Sequence, residues 1–123
     1  MSEDISRLPP QVQERLLRLQ QLQQTLQTVM AQKQQVEMEQ TEVEQSLTEL
    51  QKTAADAVMY KAIGSLLVKA EKAKVTEELA ERKELLTTRS TILARQEERL
   101  RSQVKEVQTK LQEDLNPVSP PSP

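Results

Sequence analysis

The sequence predicts an all-α chain with one small β element: two long helices forming an antiparallel coiled coil, joined by a single β-hairpin. Three observations predict it. Between Pro10 and Pro117 there is no proline and one glycine, Gly64. On both sides of that glycine, apolar residues recur at the spacings of a heptad seam. The only aromatic residue, Tyr60, stands near Gly64 in a short apolar stretch containing Val58, Ile63 and Val68.

The first helical tract opens at Pro9-Pro10, where a fixed φ and a missing N–H suit the first turn. Its apolar positions then alternate by three and four through Leu19, Leu22, Leu26, Val29, Val36, Val43, Leu47, Leu50, Ala54 and Ala57. Lys33 and Gln40 fall in the same register and are polar. In the second tract Leu79, Leu86, Leu93, Leu100 and Val107 recur every seven residues. Arg82, Arg89, Gln96 and Gln103 occupy the alternate seam positions. Leu85 and Ile92 broaden the stripe early, and Val104 and Leu111 broaden it late. Each tract spans roughly 65–70 Å at the helical rise. Equal tracts around a short reversal predict a helical hairpin rather than one continuous helix.

The reversal itself predicts two strands around a two-residue Gly64-Ser65 turn of type II′. Pairing about that turn places Met59, Lys61, Ile63, Leu66, Val68 and Ala70 on one face. Val58, Tyr60, Ala62, Leu67, Lys69 and Glu71 take the other, so both faces are apolar near the turn. A lone two-stranded hairpin is marginal in water and its edges are free to pair. Strands from other chains must therefore complete it. Segment boundaries follow: an N-terminal tail over 1–8, helix 9–57, hairpin 58–71, helix 73–115 and a Pro/Ser-rich, compositionally disordered tail over 116–123.

Composition excludes several classes of chemistry. The 123 residues are 36% hydrophobic, 29% charged and 1% aromatic, with no Cys, His or Trp. There is thus no thiol nucleophile, no disulfide framework and no Cys/His metal site. One glycine cannot build a phosphate-binding loop. No catalytic residue, cofactor site or metal site is expected, and the chain does not read as an enzyme. No apolar run approaches the ~20 residues that span a bilayer, and the Met-Ser-Glu-Asp start is not a signal peptide. The expectation is a cytoplasmic protein without membrane contact. Net charge is −2, divided as −4 up to Ala57 and +2 from Val58. Neither half interleaves basic residues with aromatics, so nucleic-acid binding is not expected.

The centre carries a resemblance. Ala54-Ala55-Asp56-Ala57-Val58-Met59-Tyr60-Lys61-Ala62-Ile63-Gly64, followed by Leu66-Leu67-Val68-Lys69, resembles the prefoldin family in its β-type, archaeal-type subunits. Thr76-Glu77-Glu78-Leu79, Arg95-Gln96-Glu97-Glu98-Arg99-Leu100 and Gln32-Lys33-Gln34-Gln35-Val36-Glu37 are similar as well. The likeness runs from about Leu17 to Leu115. Met59 stands where the family commonly has Val, and the tail from Asn116 has no counterpart. The resemblance implies an ATP-independent holding chaperone. It implies a hexamer of two α-type and four β-type subunits, whose hairpins form a double β-barrel. Coiled coils would hang from that body, capture non-native polypeptide at their tips and pass it to a group II chaperonin. A structural coiled-coil adaptor or tether is the alternative.

Two groups of residues become candidates. The assembly hairpin is Val58, Tyr60, Ile63, Gly64, Leu66, Leu67 and Val68, with Tyr60 read as a packing residue rather than a catalytic phenol. The client-binding tip brings Leu8, Val12, Leu16, Leu17 and Leu19 to Val107, Leu111 and Leu115. Adjacent Leu16 and Leu17 cannot both enter one seam, and Arg15 is charged where the register predicts an apolar residue. A splayed end is expected there. Arg82 and Arg89 are expected to pair with Glu42, Glu44 or Glu49 at the rim, and the acidic stretch from Glu37 to Glu49 to be a solvated face.

Overall fold

The computed structural model describes residues 7–116. The expectations for the two tails lie outside the described residues, except at Arg7, Leu8 and Asn116. In chain order the elements are α1 (Pro10–Lys52), β1 (Met59–Ile63), β2 (Leu66–Ala70) and α2 (Lys72–Leu115). The helices hold 43 and 44 residues, so the predicted equality of the two tracts is observed. Pro10 is the first residue of α1, and the Pro9 carbonyl accepts from the N–H groups of Val12 and Gln13.

The first helix ends at Lys52, not at 57 as the periodicity predicts. Three local causes act together. The Thr53 N–H turns back to the Leu50 carbonyl at 3.1 Å, closing the last turn tightly. The Thr53 carbonyl accepts from Lys72 Nζ at 2.6 Å, a basic cap on a helix C-terminus. The alanines beyond it are too small to hold a seam: Ala54 is exposed and Ala57 only half-buried. A turn from Ala54 to Ala57 then leads into β1.

β1 and β2 form a two-stranded antiparallel sheet in the predicted register, with Tyr60 opposite Lys69 and Ile63 opposite Leu66. Gly64 takes φ +59°, a left-handed value that side chains disfavour. A single residue, Glu71, separates β2 from α2. Its carbonyl accepts the Val75 N–H at 3.0 Å.

The chain divides into two compact units. One is Lys33–Ile92, containing the hairpin and the helix segments on either side of it. The other joins the residues up to Gln32 with those from Leu93. In the hairpin unit, Glu39 pairs with Arg82 and Thr53 with Lys72, which sets the two helix segments antiparallel. In the outer unit, Arg15 pairs with Asp114 and Met30 Sδ accepts from Arg101 Nη2 at 3.5 Å, again antiparallel.

The core is one seam wide. On α1 it is carried by Val12, then by Leu22, Val29, Val36, Val43 and Leu50 at heptad intervals. Leu19, Leu26, Lys33, Gln40 and Leu47 alternate with them and are half-buried. On α2, Leu86 is the one side chain sealed completely among the described residues, and Leu79, Leu93, Leu100 and Val107 are half-buried.

The alternate row of α2 departs from prediction. Arg82 and Gln103 are half-buried as predicted, but Arg89 and Gln96 are exposed and Ser90 and Glu97 turn inward instead, while Val104 and Leu111 join the stripe late as the spacing predicts. The row moves on by one residue where two four-residue steps, Arg82 to Leu86 and Leu86 to Ser90, fall together, a local departure from the alternation of three and four. Glu97 is accommodated by Arg101, whose Nη2 and Nε both lie 2.9 Å from its Oε2. Arg82 reaches Glu39 rather than Glu42, Glu44 or Glu49, because the pairing of the two segments puts Glu39 beside it.

Candidate functional site

The hairpin presents two unlike faces. Toward the start of α2, Met59, Lys61 and Ala70 are half-buried. Away from it, Val58, Tyr60 and Leu67 are open, with Tyr60 63% exposed and Leu67 73%. Near the turn Ile63 and Leu66 are exposed as well, and Val68 is 44% exposed. The strands carry these residues because β-branched and large apolar side chains suit a pleated surface that is to be covered. Among the described residues nothing covers it. Among the described residues each strand also has one ladder edge without a neighbour, since the sheet has two strands. Five of the seven predicted hairpin residues therefore lie together on one small sheet, with Gly64 in its turn and Val58 just before β1, and all seven are exposed.

One charged contact ties the hairpin to α2. Lys61 Nζ lies 2.6 Å from Glu78 Oε2. The hydrogen bond from Lys61 holds the Glu78 carboxyl below the usual carboxylate range. Partial desolvation opposes that, and the charges of Lys61 and Lys74 add to it.

The unit formed by the residues up to Gln32 and from Leu93 holds the predicted tip residues, and they divide sharply. Val12 is 4% exposed and Leu111 6%, whereas Leu17 and Leu115 are each 57% exposed. Leu8, Leu16, Leu19 and Val107 are half-buried. The splayed end expected from the sequence is not found at Val12 and Leu111. The Arg15 guanidinium, which occupies the seam position, is ion-paired to Asp114, and both side chains are only about one-quarter to one-fifth exposed, at 26% and 20%. A half-buried charge with its partner and long methylene stem can close a seam that an apolar residue would otherwise fill. Gln13 Nε2 adds a bond to the Leu8 carbonyl at 2.7 Å, tying the chain before α1 to its first turn. Sequence reasoning missed Asp114; an acid one turn after Leu111, opposite a misplaced Arg15, was the available signal. Of Leu16 and Leu17, Leu17 is the one left out of the seam.

Apolar side chains beyond these sites also remain open: Leu85 and Ile92 on α2, with Met30 and Met38 on α1. Among the described residues, no three His, Cys, Asp or Glu side chains are grouped to hold a metal ion. None of the described helices is long and apolar enough to cross a membrane.

Known proteins share this arrangement. A family model described as prefoldin subunit matches residues 13–117. Prefoldin subunit beta of Archaeoglobus fulgidus is 49% identical over 110 residues, covering 89% of this chain and 95% of that relative. Prefoldin subunit beta of Methanothrix thermoacetophila is 43% identical over 113 residues, covering 92% and 94%. The crystal structure of the prefoldin beta subunit from Thermococcus strain KS-1 superposes with a TM-score of 0.80 at 42% identity, covering 94% of this chain and 98% of that one. The beta2 subunit from the same strain shares the fold, with a TM-score of 0.67 at 20% identity. Two long helices around one exposed hairpin, together with relatives alike over nearly their whole length, place this chain in the prefoldin family as a chaperone subunit of the β type.

Proposed function

We propose that the chain is an ATP-independent holdase subunit that assembles through its hairpin and captures non-native polypeptide at its outer helix ends. The partners are prefoldin α-type subunits, in a hetero-hexamer of two α and four β, with the hairpins joined into β-barrels. Captured clients pass to a group II chaperonin, and the site of action is the cytoplasm. The observation that carries this reading is the hairpin: Tyr60 and Leu67 lie open on a two-stranded sheet with free outer edges. Exposed apolar surface on such a sheet is stable in water only when further strands cover it.

Client capture is assigned to Leu8, Val12, Leu16, Leu17, Leu19, Val107, Leu111 and Leu115. Leu17 and Leu115 are available directly, while Val12 and Leu111 contribute as the helix ends open. Loose, shape-tolerant apolar contacts suit a binder of unfolded chains, which present no fixed geometry.

The test combines mass measurement with client aggregation. Mixed with a prefoldin α-type subunit, the chain should form a hexamer, and Leu67→Asp should abolish it without loss of helix content. The hexamer should suppress aggregation of a denatured client without nucleotide. Leu17→Ser with Leu115→Ser should remove that protection and leave the hexamer intact. A chain that accepts no partner subunit overturns the assembly role. A hexamer that leaves unfolded clients unprotected overturns the holdase role and favours the tether.

A further inference from the structure

The hairpin has little packing to hold it at a set angle to the helices. Its outer face is open, and its inner face does not close on α2. Between them lies a cavity of about 250 Å³ lined by Lys61, Val68, Lys74, Val75 and Glu78. The covalent links are unequal. β2 joins α2 through Glu71 alone, whereas α1 reaches β1 through the non-helical residues 53–58. With one short link acting as a hinge, the angle of the sheet depends on whatever bridges the cavity.

Lys61 bridges it. It stands in the middle of β1, opposite Val68 on the inner face, and its ammonium meets Glu78 nearly two helical turns into α2. Among the described residues of the hairpin, this is the one side-chain hydrogen bond given to a helix. The pair is part-exposed, at 42% for each side chain, so as a source of fold stability it is weak. Its placement across a hinge gives it a different use.

We infer that the Lys61–Glu78 pair is a positioning contact that sets the angle at which the hairpin leaves α2, and so presents the open face and edges ready for neighbouring strands. The inference deepens the assembly reading and rests on it for its consequence, but the angle itself belongs to the single chain. Holding one angle beforehand lowers the ordering cost of association, which is the general benefit of preorganisation.

The chain has no cysteine, so spin labels placed by Ser65→Cys at the turn and Lys83→Cys on α2 are unique. Their distance distribution in the full-length free chain should be narrow. It should broaden in Lys61→Met and Glu78→Gln, and stay narrow in Lys61→Arg, which keeps the cation. Helix content should be the same in all. In mixtures with a prefoldin α-type subunit, the concentration for half-assembly should rise roughly threefold or more in Lys61→Met, and not in Lys61→Arg. Unchanged distances in Lys61→Met overturn the positioning role, whichever way assembly goes. Broadened distances in a chain that takes up no partner subunit support the positioning role and overturn the assembly reading.

Discussion

The hairpin and the outer helix ends are built from the same kinds of apolar residue, and they treat them in opposite ways. In the hairpin, Tyr60, Leu66 and Leu67 are all open, and the side turned to α2 closes over a cavity rather than a core. In the outer unit, Val12 and Leu111 are buried, and Arg15 with Asp114 completes the seam where an apolar residue is missing. The difference is geometric. Two helices have one shared seam, and a single stripe on each is enough to fill it. A two-stranded sheet has two faces and two edges, and a pair of helices leaving one of its ends can cover only a fraction of one face. Leucines in the helix seam are thus covered within the chain, whereas leucines on the hairpin are left open by the described residues. At the outer ends the exposed residues are those beside the seam, Leu17 and Leu115, and not those in it.

Stability measurements on the free chain can break that contrast. Leu111→Ala removes a buried seam residue and should lower unfolding stability by about 2–3 kcal/mol, read from denaturation followed by helix content. Leu67→Ala should change it by less than ~0.5 kcal/mol, since the side chain is already in water. Comparable losses from both substitutions would mean that the hairpin carries a core of its own.

A smaller effect is expected at the turn. Gly64→Ala should cost about 1–2 kcal/mol, because φ +59° is a left-handed conformation. A Cβ there meets no atom within 4 Å, so the cost is all backbone. It should appear as weakened hydrogen-exchange protection of the strand amides, with the helix amides unchanged.

The smallest effect sharpens the hairpin's link to α2. The Glu78 carboxyl is held below its ordinary range in the folded chain, so the Lys61 contact contributes fully above the unfolded carboxylate value. The contribution is lost as pH falls through the lowered folded value. Carboxyl resonances followed by NMR should place the Glu78 titration below the other glutamates, and Lys61→Met should return it to their range. An unshifted titration in the parent chain would leave the bridge without a strong hydrogen bond.

Much of this architecture was legible along the chain. Heptad spacing located both helices, and the Gly64-Ser65 pair located the turn and register, because these depend on neighbours a few residues apart. The end of α1 at Lys52 is not legible from spacing, because Ala54 and Ala57 satisfy a heptad pattern without having the bulk to hold it. The alternate row of α2 departs from the heptad at Arg89 and Gln96, because the two successive four-residue steps from Arg82 to Ser90 carry no mark in the residue types. The closed tip is not legible along the chain, because Arg15 reads as a seam defect and its partner Asp114 lies 99 residues away.

Two long helices and one hairpin with apolar strand faces follow from order along the chain. Local periodicity, one permissive glycine and the apolar character of both strand faces suffice for that. Which side chains meet across the elements depends on the folded arrangement: Arg15 with Asp114, Arg82 with Glu39, Lys61 with Glu78. The reason is that such partners are set by the stagger of two helices and the tilt of a sheet. Both are nonlocal quantities that a one-dimensional spacing does not contain.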